Sequence, residues 1–385
     1  MTTVTNSTDA VVQSTMRKYM TGASDDTIRE RLWLSMLEKE GRIEKDADGY
    51  DLSWDVQFSQ PNTGGYVEFQ THGFTQHQAY KQLTIDVRGN KGTDVLDLKQ
   101  IVTNRGKHSI VDLWSTKIPN LAEAMAVQLA RQAYLDGSAS GNETAFCGLK
   151  TFLGSGGTCA ATDRIAVPDD TYGGLDTDLG QYGGTWSSVL AHTAGIQNNY
   201  TLANDWPDGQ GTSEYDFMSP KIINTTSTAW TGTATWKANC DFVMRAAAGW
   251  VALNGKETAP KMHLLSIRNM REAKEHLWEK YRIIQGSNST ANDLGFYETL
   301  NFEGAIVSQD FEVPANEGFC LNPNAMDMFV FGAPPGDDFS AQRAGLFWTM
   351  GPKLTSNSTV YEIVCVIFGN MRYRPKYFAH YKAIA

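Results

Sequence analysis

Residues 109–149 read SIVDLWSTKIPNLAEAMAVQLARQAYLDGSASGNETAFCGL. Ser109, with Asp112 three positions on, resembles a capping box, and Gly137 suits a left-handed C-terminal cap; the stretch therefore predicts a helix from near Ser109 to Asp136. Pro119 is expected to kink or divide it, because proline brings no amide hydrogen to the preceding turn. Beyond Pro119, Leu121, Met125, Leu129 and Ala133 recur at helical spacing, and Ala122 and Ala126 keep that face thin enough for close packing. A long, straight element is expected.

On the N-terminal side, residues 1–23 are rich in Thr, Ser and Met without clear periodicity and are expected to form a mobile arm. Ser24-Asp25-Asp26 predicts a helix start, Ile28, Leu32, Leu34 and Leu37 an apolar stripe, and Gly41 its end. From Tyr50 to about Lys107 strands are expected, with turns at Pro61–Gly65 and Arg88–Gly92. The alternation Leu83-Thr84-Ile85-Asp86-Val87 gives a ribbon one apolar and one polar face, and such a ribbon wants a partner surface.

On the C-terminal side, residues 140–235 are dense in Gly, Ser, Thr and Asp and predict loops and short strands. Helices are expected from about Cys240 to Leu253 and from about Ser266 to Tyr281, the second with Arg268–Glu272 and Arg271–Glu275 pairs. After Gly295 the apolar runs Ala305–Val307, Met328–Phe331 and Ile363–Phe368 predict strands. Strand-helix alternation with phosphate loops is absent, so the expected class is α+β rather than a doubly wound enzyme fold.

The chain has 385 residues, too many for the usual single domain of roughly 100 to 200 residues, so two lobes or a body with long extensions are expected. A net charge of -10 and the lack of any strongly basic stretch disfavour tight nucleic-acid binding. Five scattered cysteines, Cys147, Cys159, Cys240, Cys320 and Cys365, form no C-x-x-C pair and read as free thiols in a reducing cell. Residues 1–20 lack an apolar signal core and no apolar run approaches bilayer length, so synthesis and assembly in cytosol are expected and the N-x-S/T triplets carry no weight.

This element order resembles the shell fold of tailed-bacteriophage major capsid proteins, the Hong Kong ninety-seven phage type, which encapsulins share in outline. In many members the spine helix ends in Leu-Asp/Asn-Gly, followed by Gly-Leu or Gly-Ile; here Tyr134-Leu135-Asp136-Gly137-Ser138 leads to Phe146-Cys147-Gly148-Leu149. Residues Phe302–Pro314 are similar to the family's Gly-x-Pro-Val stretch, with Ile306 in place of its proline. The resemblance implies these parts: 1–45, arm and short helix; 46–107, extended β-ribbon loop; 108–235, spine helix and peripheral-domain region with glycine-rich loops. The axial domain follows at 236–335, and 336–385 supplies the C-terminal strands of the peripheral domain.

The resemblance further implies self-assembly into hexamers and pentamers, forming an icosahedral virion capsid that encloses double-stranded DNA without sequence-specific binding. Separate scaffolding and portal proteins and a decoration protein are the implied partners, with no membrane. Some relatives join a ribbon lysine to a distant asparagine; Lys81, Lys91 and Lys99 each have the amine, but the sequence singles out no partner. The rival within the fold is an encapsulin-like compartment. Outside it, ten Trp and fifteen Tyr suggest a carbohydrate-active or hydrolytic enzyme.

The local candidates favour structural readings. His72 and His77 lack a third ligand, Gly154–Gly157 lacks the Gly-Lys-Ser/Thr ending of a phosphate loop, and Pro335-Gly336-Asp337-Asp338 reads as a turn. No Gly-x-Ser-x-Gly elbow occurs. Met371–Phe378 mixes basic and aromatic residues that can hold single-stranded nucleic acid, yet reads better as a strand with charged edges. The sequence thus nominates no catalytic, cofactor-binding or metal-ligating residue.

Overall fold

The computed structural model describes residues 32–57, 80–103, 113–153, 164–166, 170–177, 220–254, 262–280, 300–302, 304–334, 339–342, 345–354 and 359–383, and positions 65, 67–69, 71, 73 and 218. Helix α1 (Leu32–Lys39) buries Leu32, Trp33, Leu34, Met36 and Leu37, and Gly41, at φ +64, ends it in the left-handed conformation. The arm over 1–23 and the helix start at Ser24 lie outside the described residues.

A six-stranded sheet forms the first layer. It runs β1 (Ile43–Ala47), β13 (Met326–Phe331), β16 (Val360–Tyr373), β15 (Phe347–Leu354), β14 (Phe339–Gln342), and β4 (Arg88–Asp97) also pairs with β16. Alternation sets its faces: Met326, Met328 and Val330 of β13 point into the core, as do Ile363, Cys365 and Ile367 of β16. Helix α2 (Leu113–Gln132) lies across β4. Its small face lets it approach closely, and at Gly92 of β4 an added Cβ would stand 3.0 Å from Leu121 Cδ1 and Met125 Sδ.

The second layer is a seven-stranded sheet in the order β10 (Leu300–Phe302), β11 (Ala305–Gln309), β9 (Met262–Leu265), β12 (Gly318–Leu321), β17 (Ala379–Lys382), β8 (Lys221–Asn224), β5 (Ile165–Ala166). β8, β9 and β12 are buried along their whole length, because both faces are covered. Ile222, Leu264 and Phe319 face the core of the first sheet, while Ile223, Leu265 and Cys320 face α3 (Trp236–Asn254) and α4 (Ile267–Lys280). The expected pairs form on α4, Arg268–Glu272 at 2.9 Å and Arg271–Glu275 at 3.9 Å. The class is α+β, as the sequence predicted, and Cys147, Cys240, Cys320 and Cys365 are buried free thiols.

Three expectations are corrected. Arg88–Gly92 is the start of β4, not a turn: Asn90 is buried and exchanges amide hydrogen bonds with Gln132 of α2 at 2.6 and 3.0 Å, and Gly89 and Gly92 make room for Phe368 and α2. Leu98–Thr103, with Ile101 and Val102, is a short helix, its first turn begun by Asp97 Oδ1 accepting from the Lys99 amide at 2.7 Å. α2 continues unbroken through Pro119, the seventh of its described residues, and so loses only an early hydrogen bond. Its capping box at Ser109 and Asp112 lies outside the described residues.

Candidate functional site

Two features stand out from the body: a knot where α2 ends, and a ribbon with a groove at its base. The knot begins after Gln132, where Tyr134 turns its hydroxyl to Asp310 at 2.7 Å and the chain leaves the helix axis. Asp136 Oδ1 accepts from the Ser138 amide at 2.8 Å, turning the chain back on itself. Gly137 is not left-handed, contrary to expectation. It is glycine for space: an added Cβ would meet Arg88 Nη1 at 2.8 Å and Cys147 Cα at 3.0 Å.

The returning chain passes directly over the helix end. Gly148 is extended, and a Cβ there would lie 2.3 Å from the carbonyl oxygens of both Gln132 and Leu135. The Leu149 amide donates to Ala133 O at 2.7 Å, so a short 3-10 helix, Leu149–Phe152, starts against the end of α2. Arg88 donates to the carbonyls of Gly137 at 2.8 Å and Ala145 at 2.6 Å, and Asn370 Oδ1 accepts from the Cys147 amide at 2.9 Å. The two glycine stations are the two faces of one crossing.

The knot is tied to the second sheet by a polar cluster. Lys150 Nζ stands 2.6 Å from Glu317 Oε2, and His380 Nε2 lies 3.2 Å from the same oxygen. Burial alone raises the Glu317 carboxyl, but the hydrogen bonds and charges of His380 and Lys150 outweigh it and hold it at about 2. Burial pushes the His380 imidazole below its ordinary value, with Glu317 opposing. At neutral pH the cation facing Glu317 is therefore Lys150. The His380 ring also stacks on Phe319, centroids 4.7 Å apart.

The ribbon is β2 (Asp51–Gln57) paired antiparallel with β3 (Tyr80–Asp86) from Asp51↔Asp86 to Gln57↔Tyr80. One face carries Leu52, Ile85 and Leu83, which are buried, followed by Trp54 and Val56. The other carries Asp51, Ser53, Asp55, Gln82, Thr84 and Asp86. The base of the apolar face packs on its own chain, not only on neighbours as the sequence suggested. The hairpin β6 (Thr171–Tyr172) and β7 (Leu175–Asp176) holds it, with Gly173 O accepting from the Thr84 amide at 3.2 Å and Tyr172 beside Trp54 at 6.1 Å.

Further out the apolar residues are uncovered. Tyr80 is 60%, Val67 69% and Phe69 99% exposed. Tyr50, 91% exposed, rims a groove of about 630 Å³ whose apolar wall includes Val87, Phe331 and Phe368 and whose polar side carries Asp48, Asp51 and Asp86. Aromatic side chains standing in solvent have contact area left to bury, and among the described residues nothing covers it.

Comparison with solved structures matches this architecture end to end. The "Cyanophage A-1(L) capsid asymmetric unit" gives a TM-score of 0.60 at 12% identity, over 95% of this chain and 96% of that one. The capsid of the native GTA particle gives 0.53 at 10% identity, over 94% and 95%. The capsid of cyanophage P-SCSP1u gives 0.51 at 10% identity, over 96% and 93%. The fold is the tailed-phage capsid shell fold. No protein-family model matches the sequence, and neither does any curated protein.

Seen on that fold, the sequence candidates separate. The two glycine stations meet in the knot. Lys81, Lys91 and Lys99 fall on three different elements: β3, β4 and the short helix Leu98–Thr103. The basic-aromatic stretch is structural: Arg372 pairs with Asp327 and lies 5.0 Å over Phe329, while Tyr373 is buried against Phe152 and Phe378. His72, His77, Gly154–Gly157 and Pro335–Asp338 lie outside the described residues. Sequence reading missed Arg88, Asn370 and the Lys150–Glu317–His380 cluster, whose partners are far apart in the chain. Among the described residues no helix is long and apolar enough to cross a membrane.

Proposed function

We propose that this chain is a major capsid protein, self-assembling into hexamers and pentamers of an icosahedral shell around double-stranded DNA. The observation that carries this reading is the capsid fold combined with a projecting ribbon whose aromatic residues, Phe69 and Tyr50 above all, are uncovered. A shell subunit that must clasp its neighbours presents such a projection; a solitary enzyme does not need one. The net charge of -10 favours enclosing DNA over gripping it.

On this reading the ribbon and groove serve contact between copies, the two sheets form the wall, and the shell is the non-enzymatic body of a virion assembled in the host cytoplasm. Its partners are a separate scaffolding protein, a portal and a decoration protein. The parts of the chain divide as arm and short helix 1–45, ribbon 46–107, spine and peripheral region 108–235, axial domain 236–335 and closing strands 336–385, with β4 within the ribbon part serving the wall.

Electron microscopy of the purified recombinant protein, alone and with candidate scaffold, tests it. Uniform closed particles, capsomers or tubes are expected. A compact monomer at every concentration overturns the proposal, and enzyme cargo in place of DNA inside native particles reassigns the shell to a compartment.

A further inference from the structure

Between α3 and α4, away from the ribbon and the knot, three side chains of metal-binding type converge. Cys240 Sγ, an Asp241 carboxylate oxygen and a His276 ring nitrogen all lie within 4.8 Å of one another, and all three residues are buried. Cys240 and Asp241 stand one turn inside the start of α3; His276 faces them from the last turns of α4. Around them Trp236, Val243, Met244 and Leu277 form an apolar core, which raises the cost of any uncompensated polar group.

His276 is the observation that points to a ligand. The residue is 9% exposed, its Nε2 is buried with no hydrogen-bond partner, and the nearest acidic oxygen, Asp241 Oδ1, stands 3.6 Å away. That spacing is too long for a hydrogen bond and is the edge length expected of two ligands sharing one ion at about 2.0 to 2.2 Å each. Cys240 Sγ donates to Lys237 O at 3.6 Å, and Asp241 Oδ1 accepts from the Phe242 amide at 3.0 Å. The Lys237–Glu275 ion pair at 3.0 Å already clamps the same two helices from outside.

We propose that Cys240, Asp241 and His276 form a divalent-cation site that ties α3 to α4, of the kind that takes Zn²⁺. A thiolate, a carboxylate and an imidazole suit that ion, and a water bound to it completes four-coordination. One thiolate and one carboxylate neutralise the two positive charges, so the loaded site carries no net charge into the core. Binding breaks the Cys240 S–H bond and forms a sulfur–metal bond, and the proton leaves to solvent.

The test loads the purified full chain with Zn²⁺ alone, removes excess by gel filtration and measures bound metal, with Co²⁺ as the spectroscopic stand-in. The expectation is one tightly held ion per chain and a near-ultraviolet thiolate-to-cobalt band. Cys240→Ser abolishes the band, and His276→Gln weakens binding by roughly 10- to 100-fold while circular dichroism stays that of the wild type. A band absent from the wild type, or metal uptake unchanged in His276→Gln, overturns the proposal. Should a variant misfold, the wild type decides alone: Zn²⁺ must raise its unfolding temperature and block Cys240 alkylation in partly denaturing urea, and failure of either sinks the site.

Discussion

Gly148→Ala tests the knot at its tightest point. The new Cβ would start 2.3 Å from the oxygens of Gln132 and Leu135 and 2.8 Å from the Leu135 amide nitrogen, all backbone atoms that no rotamer change can move aside. Relief requires lifting the returning chain off the helix end, which sacrifices the 2.7 Å bond from the Leu149 amide to Ala133 O. One backbone bond at about 0.5 to 1.5 kcal/mol, and overpacking at about 1 to 3, give a loss of about 1.5 to 4.5 kcal/mol. Against a typical stability of about 5 to 15 kcal/mol, that is a large share. The assay is the first urea transition of unassembled subunits, followed by near-ultraviolet circular dichroism. Gly73→Ala, where nothing lies within 4 Å of the new carbon, is the control and should stay within about 0.5 kcal/mol. If Gly148→Ala unfolds at the same urea concentration as Gly73→Ala, the steric account of the Gly-Leu station is wrong.

Three further outcomes are expected. Arg88→Ala leaves the carbonyls of Gly137 and Ala145 without their donor and should cost about 2 to 4 kcal/mol in the same urea assay, with Arg88→Lys unable to restore it because one ammonium cannot reach as the guanidinium fork does. Acid should destabilise the wild type in two stages. Protonation of His380 favours unfolding once pH drops below 6.5, and the Glu317 contribution, complete above 4.5, is lost as pH falls toward about 2. Glu317→Gln should therefore be less stable than the wild type at pH 7 and converge on it toward the acid end; parallel curves would exclude the charge account. Replacing residues 58–79 by Asn-Gly, a two-residue turn that suits the facing Gln57 and Tyr80, should leave a folded body that forms no closed shells, which sedimentation and microscopy would reveal. Deleting out to residue 100 is a different experiment, because it removes β4 from the wall and should abolish folding.

Much of the fold was legible because its signals are local. The stripe Leu121–Met125–Leu129, the charge pairs on α4 and the apolar runs at Met328 and Ile363 each announce an element within a dozen residues. The glycines misled where their reason was tertiary. Gly89, Gly92 and Gly137 look like turn and cap residues in isolation, yet each is set by what passes over it: Phe368, Leu121 and Met125, or Cys147. The candidate surface was half legible. Alternation from Leu83 to Val87 gave the ribbon, but only the folded chain shows that Leu83 is covered by Gly173 while Phe69 is not. Asn370, serving the Cys147 amide and donating to Asp86 O at 2.8 Å, carries no sequence signature because its partners lie hundreds of positions away.

β16 has a mechanical consequence. Its first ten residues are zipped to β4, its end from Gly369 to Tyr373 to β13, and a few residues later the same backbone becomes β17 inside the other sheet. Tension applied to either lobe therefore runs through this covalent cable and through the second crossing from β12 to β13 beside it, and parting the lobes means shearing several rows of hydrogen bonds at once. A tile built on such a cable resists folding along its middle. In the proposed shell, the change of angle between tiles meeting five or six around a corner then falls on the contacts between copies.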